Sequence, residues 1–389
     1  MASAYGSLHT CKPPSSQDAK PPVLYTTESE QNRNRRSAWK LIRNIVIVAL
    51  MVIWVTHGTY SFAPTFRKCN THKTKQETHA ANAQIPNRMH YVKLLDNPGS
   101  VNELSFHFME YLSVYAAWYY WRPDTIYLHT NAVHDTISGA RDGFAGKWAK
   151  LILQIPNIKI LRVTVPSVAG YTLSRNLQTE VVAAAAVRDL GGVYSAFDVH
   201  ALQDIQAYRH SGFPSVLAAS GDTGVSHDFF MSKRDAMLVT AWEDRLEQAY
   251  ALGAGSIGET ILPGVVGSIM RIAPQELRLM DTMSFVTDQD NSTMSNMLYH
   301  VPETGAEDSS KKQPDSGNLK QIEFEFIDWS NTHLVQLTDP QDRKWTGNRS
   351  EYVTPRHILD RRSNFARALY PIAKILHDKG LLQLDEEFY

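Results

Sequence analysis

The stretch that most constrains this chain is Gly191-Gly192-Val193-Tyr194-Ser195-Ala196-Phe197-Asp198-Val199, which follows an alanine-rich segment beginning near Gln178. It reads as a helix, a glycine stop, a buried strand and an acid at the strand's end. Two consecutive glycines after a helix suit a left-handed stop and a tight turn into a strand. A chain carrying such a unit is committed to helices packed on a sheet.

The same alternation extends on both sides. Ile85 to Leu94 reads as a first strand and Glu103 to Trp118 as a helix; Thr125 to His129 is β-rich. A helix over Phe144–Gln154 leads into a strand at Ile158–Val163. Beyond Asp198 come strand-like runs at Ser215–Ala219 and Asp228–Ser232, then a helix over Asp235–Leu252. Ile322–Ile327 has strand character, and Ser363–Lys379 reads as a helix capped by Gly380. Strand and helix in alternation over most of the domain predict an α/β fold with a mostly parallel sheet flanked by helices.

The N-terminal part is of another kind. No charged residue falls between Arg43 and Arg67, and Ile45 to Val55 is nearly pure hydrocarbon. At ~1.5 Å per residue the uncharged span matches roughly the 30 Å of a bilayer core. Arg33, Arg35, Arg36, Lys40 and Arg43 precede it, so the positive-inside rule leaves the N-terminus in the cytoplasm. The expectation is a tail over 1–43, a signal anchor over 44–63, a stem over 64–84 and one domain over 85–389, with a flexible loop at 302–318. A cleaved signal peptide fits less well, because the apolar run starts far from Met1. The sequons Asn291-Ser292-Thr293 and Asn348-Arg349-Ser350 fall on the lumenal side of that topology.

Composition excludes several classes. A net charge of −1, with no basic block beyond the tail, argues against a nucleic-acid partner. The two cysteines, Cys11 and Cys69, both precede the domain, so it has neither a disulfide framework nor a cysteine metal site.

Ile85-Pro86 ahead of His90, Thr179-Glu180 on a helix, and Gly191-Gly192-Val193-Tyr194 ahead of Ala196-Phe197-Asp198-Val199 occur in an order and spacing that resemble glycosyltransferase family 32, the sugar transferases with a DXD motif. The resemblance covers roughly Ile85 to Trp242. It implies a GT-A-like, Rossmann-type nucleotide-sugar-binding domain behind one transmembrane helix, as in fungal Golgi type II mannosyltransferases. The implied activity is metal-dependent, retaining transfer of a hexose from GDP-mannose or a UDP-hexose to a glycan acceptor. A divalent cation such as Mn²⁺ would be its cofactor. By carry-over, Asp198 is the metal ligand, and Glu180, Tyr194, Asp198 and Asp228 line the donor site.

The chain departs from the family's Ser-Asp-x-x-Arg and Gly-Gly-x-Tyr-x-Asp-x-Asp blocks. It has Glu180 for the first acid, Ala183 for the arginine and Ala196 for the first aspartate of the pair. By the same carry-over that first aspartate helps hold the donor's ribose, a contact Ala196 cannot make, and a lost hydrogen bond of that kind costs about 0.5–1.5 kcal/mol, up to about 3 if charged, which weakens an enzyme without abolishing it. Three readings stay open: an active transferase, an impaired member serving as non-catalytic partner in a glycosyltransferase complex, and a membrane-tethered structural protein. The motif residues also have plainer roles. Asp198 suits a turn that caps nearby amides, and His90 suits a satisfied core histidine. His227 suits ordinary strand-end polarity; His357 and Asp360, in a part that can return a metal ligand or close over the donor, suit surface placement; and Trp329, a candidate acceptor floor, suits burial equally well.

Overall fold

The computed structural model describes residues 84–384 apart from 166, 169–170, 221–223, 252–257, 289–293, 295–296, 299–325 and 338–352. The expected tail and anchor, nearly all of the stem, the 302–318 loop and most of the strand at Ile322–Ile327 lie outside the described residues. The last two residues of that run, Phe326 and Ile327, are in no strand. Among the described residues no helix is long and apolar enough to cross a membrane.

The elements run β1 (Arg88–Lys93), α1 (Phe108–Trp121), β2 (Thr125–Thr130), α2 (His134–Asp142), α3 (Lys147–Leu153) and β3 (Ile158–Arg162). A short pair β4 (Ser167–Val168) and β5 (Tyr171–Thr172) leads to α4 (Arg175–Leu190), β6 (Gly192–Ser195) and β7 (Val199–Ala201). Then come α5 (Gln206–Arg209), β8 (Ser215–Ala218), β9 (Phe229–Ser232), α6 (Met237–Ala251) and α7 (Gly258–Ile272). The remainder is β10 (Leu277–Met280), β11 (Phe285–Thr287), β12 (Leu334–Gln336), α8 (Pro355–Leu359) and α9 (Asn364–Asp378).

Seven strands form one sheet in the order β10-β8-β9-β6-β1-β2-β3. All run one way except β9, which lies antiparallel between β6 and β8. This is the mixed α/β, mostly parallel architecture that the alternation predicts. Strands covered on both faces read as continuous apolar runs, and β6, β8 and β9 are buried at every position. Their few polar groups are satisfied internally, as where Ser215 and Ser232 share a hydroxyl hydrogen bond of 2.8 Å.

The glycine pair explains how β6 reaches β1. Gly191 closes α4, donating its N–H to the Val187 carbonyl at φ +62°. At Gly192, φ is +129° and a Cβ would stand 2.4 Å from the Arg88 carbonyl oxygen, so only glycine lets the two strands meet. His90 seals the junction. One ring nitrogen lies 3.0 Å from the Gly191 carbonyl and the other 3.0 Å from His129 Nε2. The carbonyl can only accept, so His90 carries its proton on Nε2 and His129 Nε2–H donates to His90 Nδ1. Burial holds both imidazoles neutral, lowering His90 to about 4 and His129 to about 3. His90 is thus a satisfied core histidine.

A second sheet, β11-β12-β7, continues from the end of β6. Helix α1 fixes it through Ser113 Oγ, which donates to the Val199 carbonyl at 2.6 Å. On the large sheet, β2 and β3 extend to one side of β1 and β6 lies on the other. The carboxyl ends of β1 and β6 therefore flank a topological switch point, where open α/β sheets form their ligand crevices.

Candidate functional site

The chain leaves β6 at this switch point through Ala196, Phe197 and Asp198. These residues form a turn, with Val199 N–H donating to the Ala196 carbonyl at 3.3 Å, so Asp198 lies just beyond the strand and not at its end as the sequence suggested. Phe197 anchors the turn by packing on Tyr91 and Phe106, with ring centroids 5.0 and 5.4 Å away.

The strand opposite places a carboxylate across from Ala196. Register between β6 and β9 pairs Ser195 with Phe229, and the next step pairs Ala196 with Asp228, whose carbonyl accepts the Ala196 N–H at 2.8 Å. Asp228 therefore stands directly across from the alanine. Gln336, at the end of β12, joins the two acids: Nε2 donates to Asp198 Oδ2 at 3.0 Å and to Asp228 Oδ2 at 2.6 Å. Both acids are half-buried, and Asp198 Oδ1 has no hydrogen-bond partner among the described residues.

Burial chiefly, then the charge of Asp228, pushes the Asp198 carboxyl up to about 8, against the opposing hydrogen bond from Gln336. Asp288, buried just past β11, adds a further upward push on Asp198. The Asp228 carboxyl is likewise raised, mainly by burial, while Gln336 and His227 oppose the shift. Desolvation and like charge act in the same direction at such a pair.

Glu180 projects from α4 beside this pair. Its Oε2 lies 3.3 Å from His227 Nδ1, and the His227 ring sits edge-on to buried Trp242 at 6.0 Å. Tyr194 forms the floor. It is buried against Phe230 with centroids 5.2 Å apart, and its hydroxyl is held protonated by burial first and then by Asp228, Asp198 and Glu180. The structure thus gathers Glu180, Tyr194, Asp198 and Asp228 around one point.

Other residues singled out in the sequence fall elsewhere. Ala183, where the family has arginine, is fully buried in the apolar cluster with Leu217, Phe230 and Trp242. His357 Nε2 meets Ser363 Oγ at 3.1 Å, and that hydroxyl caps α9. Asp360 pairs with Arg362 at 2.9 Å on the surface. Trp329 packs against the main core, and its carbonyl accepts from Gln203 Nε2. Gln336 and Asp288 are site residues that the sequence does not announce. Asp288 follows a short β-run, Phe285-Val286-Thr287, and so repeats the strand-then-acid signal of Asp198; nothing local marks Gln336.

Among the described residues no group of three or more His, Cys, Asp and Glu side chains is arranged to hold a metal alone. A hard divalent cation on a phosphate substrate does not require such a cage. It is commonly held by one or two carboxylates, with phosphate oxygens and water completing the shell. A close pair of carboxylates with an unpartnered, buried Asp198 Oδ1 fits that ligand set.

No family model matches the sequence, and neither does any curated protein. Several solved glycosyltransferases are similar in structure. The Streptococcus pneumoniae TIGR4 glycosyltransferase GlyE has a TM-score of 0.41 at 8% identity, over 78% of this chain and 66% of that one. The PaToxG glycosyltransferase has a TM-score of 0.35 at 12% identity, over 55% of this chain and 73% of that one. Mouse xyloside xylosyltransferase 1 in its apo form has a TM-score of 0.33 at 8% identity, over 51% and 87%. Likenesses this loose carry no argument about chemistry; the residues of the site do.

Proposed function

We propose that this chain is a metal-dependent glycosyltransferase that takes a hexose from a nucleotide sugar and passes it to a glycan acceptor. The observation that carries the reading is the pairing of Asp198 with Asp228, within reach of one amide, at the topological switch point of the sheet. Asp198 and Asp228 would hold the cation, which when bound neutralises the charge developing on a leaving nucleoside diphosphate. The chain's own groups supply the rest. Glu180 and His227 offer polar contacts to the donor beside the pair, and Tyr194 with Trp242 closes the floor against water. GT-A-type donor binding, retaining stereochemistry, GDP-mannose or a UDP-hexose as donor, and a Golgi type II setting follow from the family 32 resemblance and belong to the same proposal.

The test is Mn²⁺-dependent binding and hydrolysis of a panel of GDP- and UDP-sugars by the full-length protein in detergent. Binding that disappears in Asp198→Ala is the expected result. No metal-dependent binding and no turnover with any donor would overturn the reading. The Ala183 and Ala196 departures favour a second reading, a non-catalytic partner of an active transferase. In that case donor binding without turnover is expected.

A further inference from the structure

We propose that Gln336 is an internal stand-in for the cation: its amide fills the space between Asp198 and Asp228 and has to swing out before a metal ion takes both. The inference rests on the metal-dependent reading of the site. A primary amide nitrogen has two hydrogens, and here both are committed, one to each carboxylate, at 3.0 and 2.6 Å. The acceptor lone pairs they occupy are those a hard cation would use. An amide offers only partial positive charge, so it holds the pair in place without neutralising it.

The backbone of Gln336 cannot retreat. Its register sets it against Val199 of β7 on one side and Thr287 of β11 on the other, and the side chain is almost fully buried. Exchange of amide for cation therefore falls to side-chain rotation alone. Asp198 Oδ1, which the amide does not use, is a further oxygen for the cation once the amide has turned away. A site built this way stays closed over its carboxylates until a cation arrives.

The experiment measures Mn²⁺ affinity by calorimetry and by the paramagnetic resonance signal of free Mn²⁺, in the full chain and in Gln336→Met and Gln336→Glu. Methionine keeps the length and removes both donors. Glutamate adds an oxygen ligand. Each is expected to bind Mn²⁺ about tenfold more tightly or better than the unmodified chain, since hydrogen bonds to charged groups no longer compete. The gain should vanish in Gln336→Met/Asp228→Ala. A larger Mn²⁺-induced rise in melting temperature for Gln336→Met than for the parent gives the same answer for a variant of reduced stability. Equal or weaker affinity in both variants, with the parent binding Mn²⁺, overturns the stand-in and leaves the metal-dependent reading intact. No Mn²⁺ binding by any of the three overturns both.

Discussion

Asp228→Asn should stabilise the protein at alkaline pH and, in mild acid where there is no repulsion to relieve, cost it about 1 kcal/mol. Two oxygens bonded to one nitrogen at 3.0 and 2.6 Å lie at most about 5.6 Å apart. At an effective dielectric of ~20, two unit charges at that separation repel by about 3 kcal/mol. The amide of asparagine keeps the shape and still accepts from Gln336, but that bond loses its charge assistance, a cost of about 1 kcal/mol. The net gain expected with both carboxylates ionised is about 2 kcal/mol.

The pH window follows from Asp198. Its folded value, about 8, is raised above the ordinary 3.8. The stability it lends is complete below the unfolded value and drains away as pH rises through the folded one. Relief from Asp228→Asn therefore appears at pH 9 and is absent at pH 5, where the pair already shares a proton. Melting temperatures of parent and variant at the two pH values read this directly, with a rise of about 4 °C expected at pH 9. The same shift at both pH values, or a fall at pH 9, would refute the electrostatic account of the site. Donor binding should weaken in the variant even as stability rises, the usual opposition between a strained site and a stable fold.

Gly192→Ala should cost about 3 kcal/mol or more, seen in urea midpoints or in failure to accumulate folded protein. Its Cβ meets the Arg88 carbonyl at 2.4 Å in a backbone conformation hostile to side chains. The buried pair His90 and His129 should give an acid limb. Their folded values, about 4 and about 3, lie below 6.5, so the stability they carry is intact above pH 6.5 and lost as pH falls towards those values. Replacing His129 by Gln, which can still donate to His90, should flatten that limb in urea midpoints taken between pH 6.5 and 4. Because residue 196 faces residue 228 across the strands, Asp228→Ala/Ala196→Asp should recover about tenfold of the donor affinity that Asp228→Ala loses. Recovery no better than Asp228→Ala alone would break the equivalence of the two positions.

The parts of this molecule that can be read from its sequence are those whose cause is local. Alternating periodicity marks the parallel strands β1, β2, β3 and β6, and the glycine pair marks the helix stop and the turn into β6, while the close approach of β6 to β1 shows only in the fold. Helix α9 shows its span because Ser363 caps it at one end and Gly380 stops it at the other. Elements without such signals stay hidden. Helix α2 is short and polar, α7 carries Pro263 inside it, and β10, β11 and β12 are three or four residues long. The site divides in the same way. Asp198 is legible because it closely follows a strand that announces itself. The significance of Ala196 is not, since along the chain it is simply a missing acid. Its meaning lies across the sheet, where the antiparallel β9 sets Asp228 in register with it. Register is a property of two segments and is fixed by how whole faces bury, so neither segment encodes it alone. A motif scored within one strand records a loss here. In the folded sheet the carboxylate across from Ala196 belongs to Asp228, at the start of β9, and Gln336 from a third strand is hydrogen-bonded to both acids.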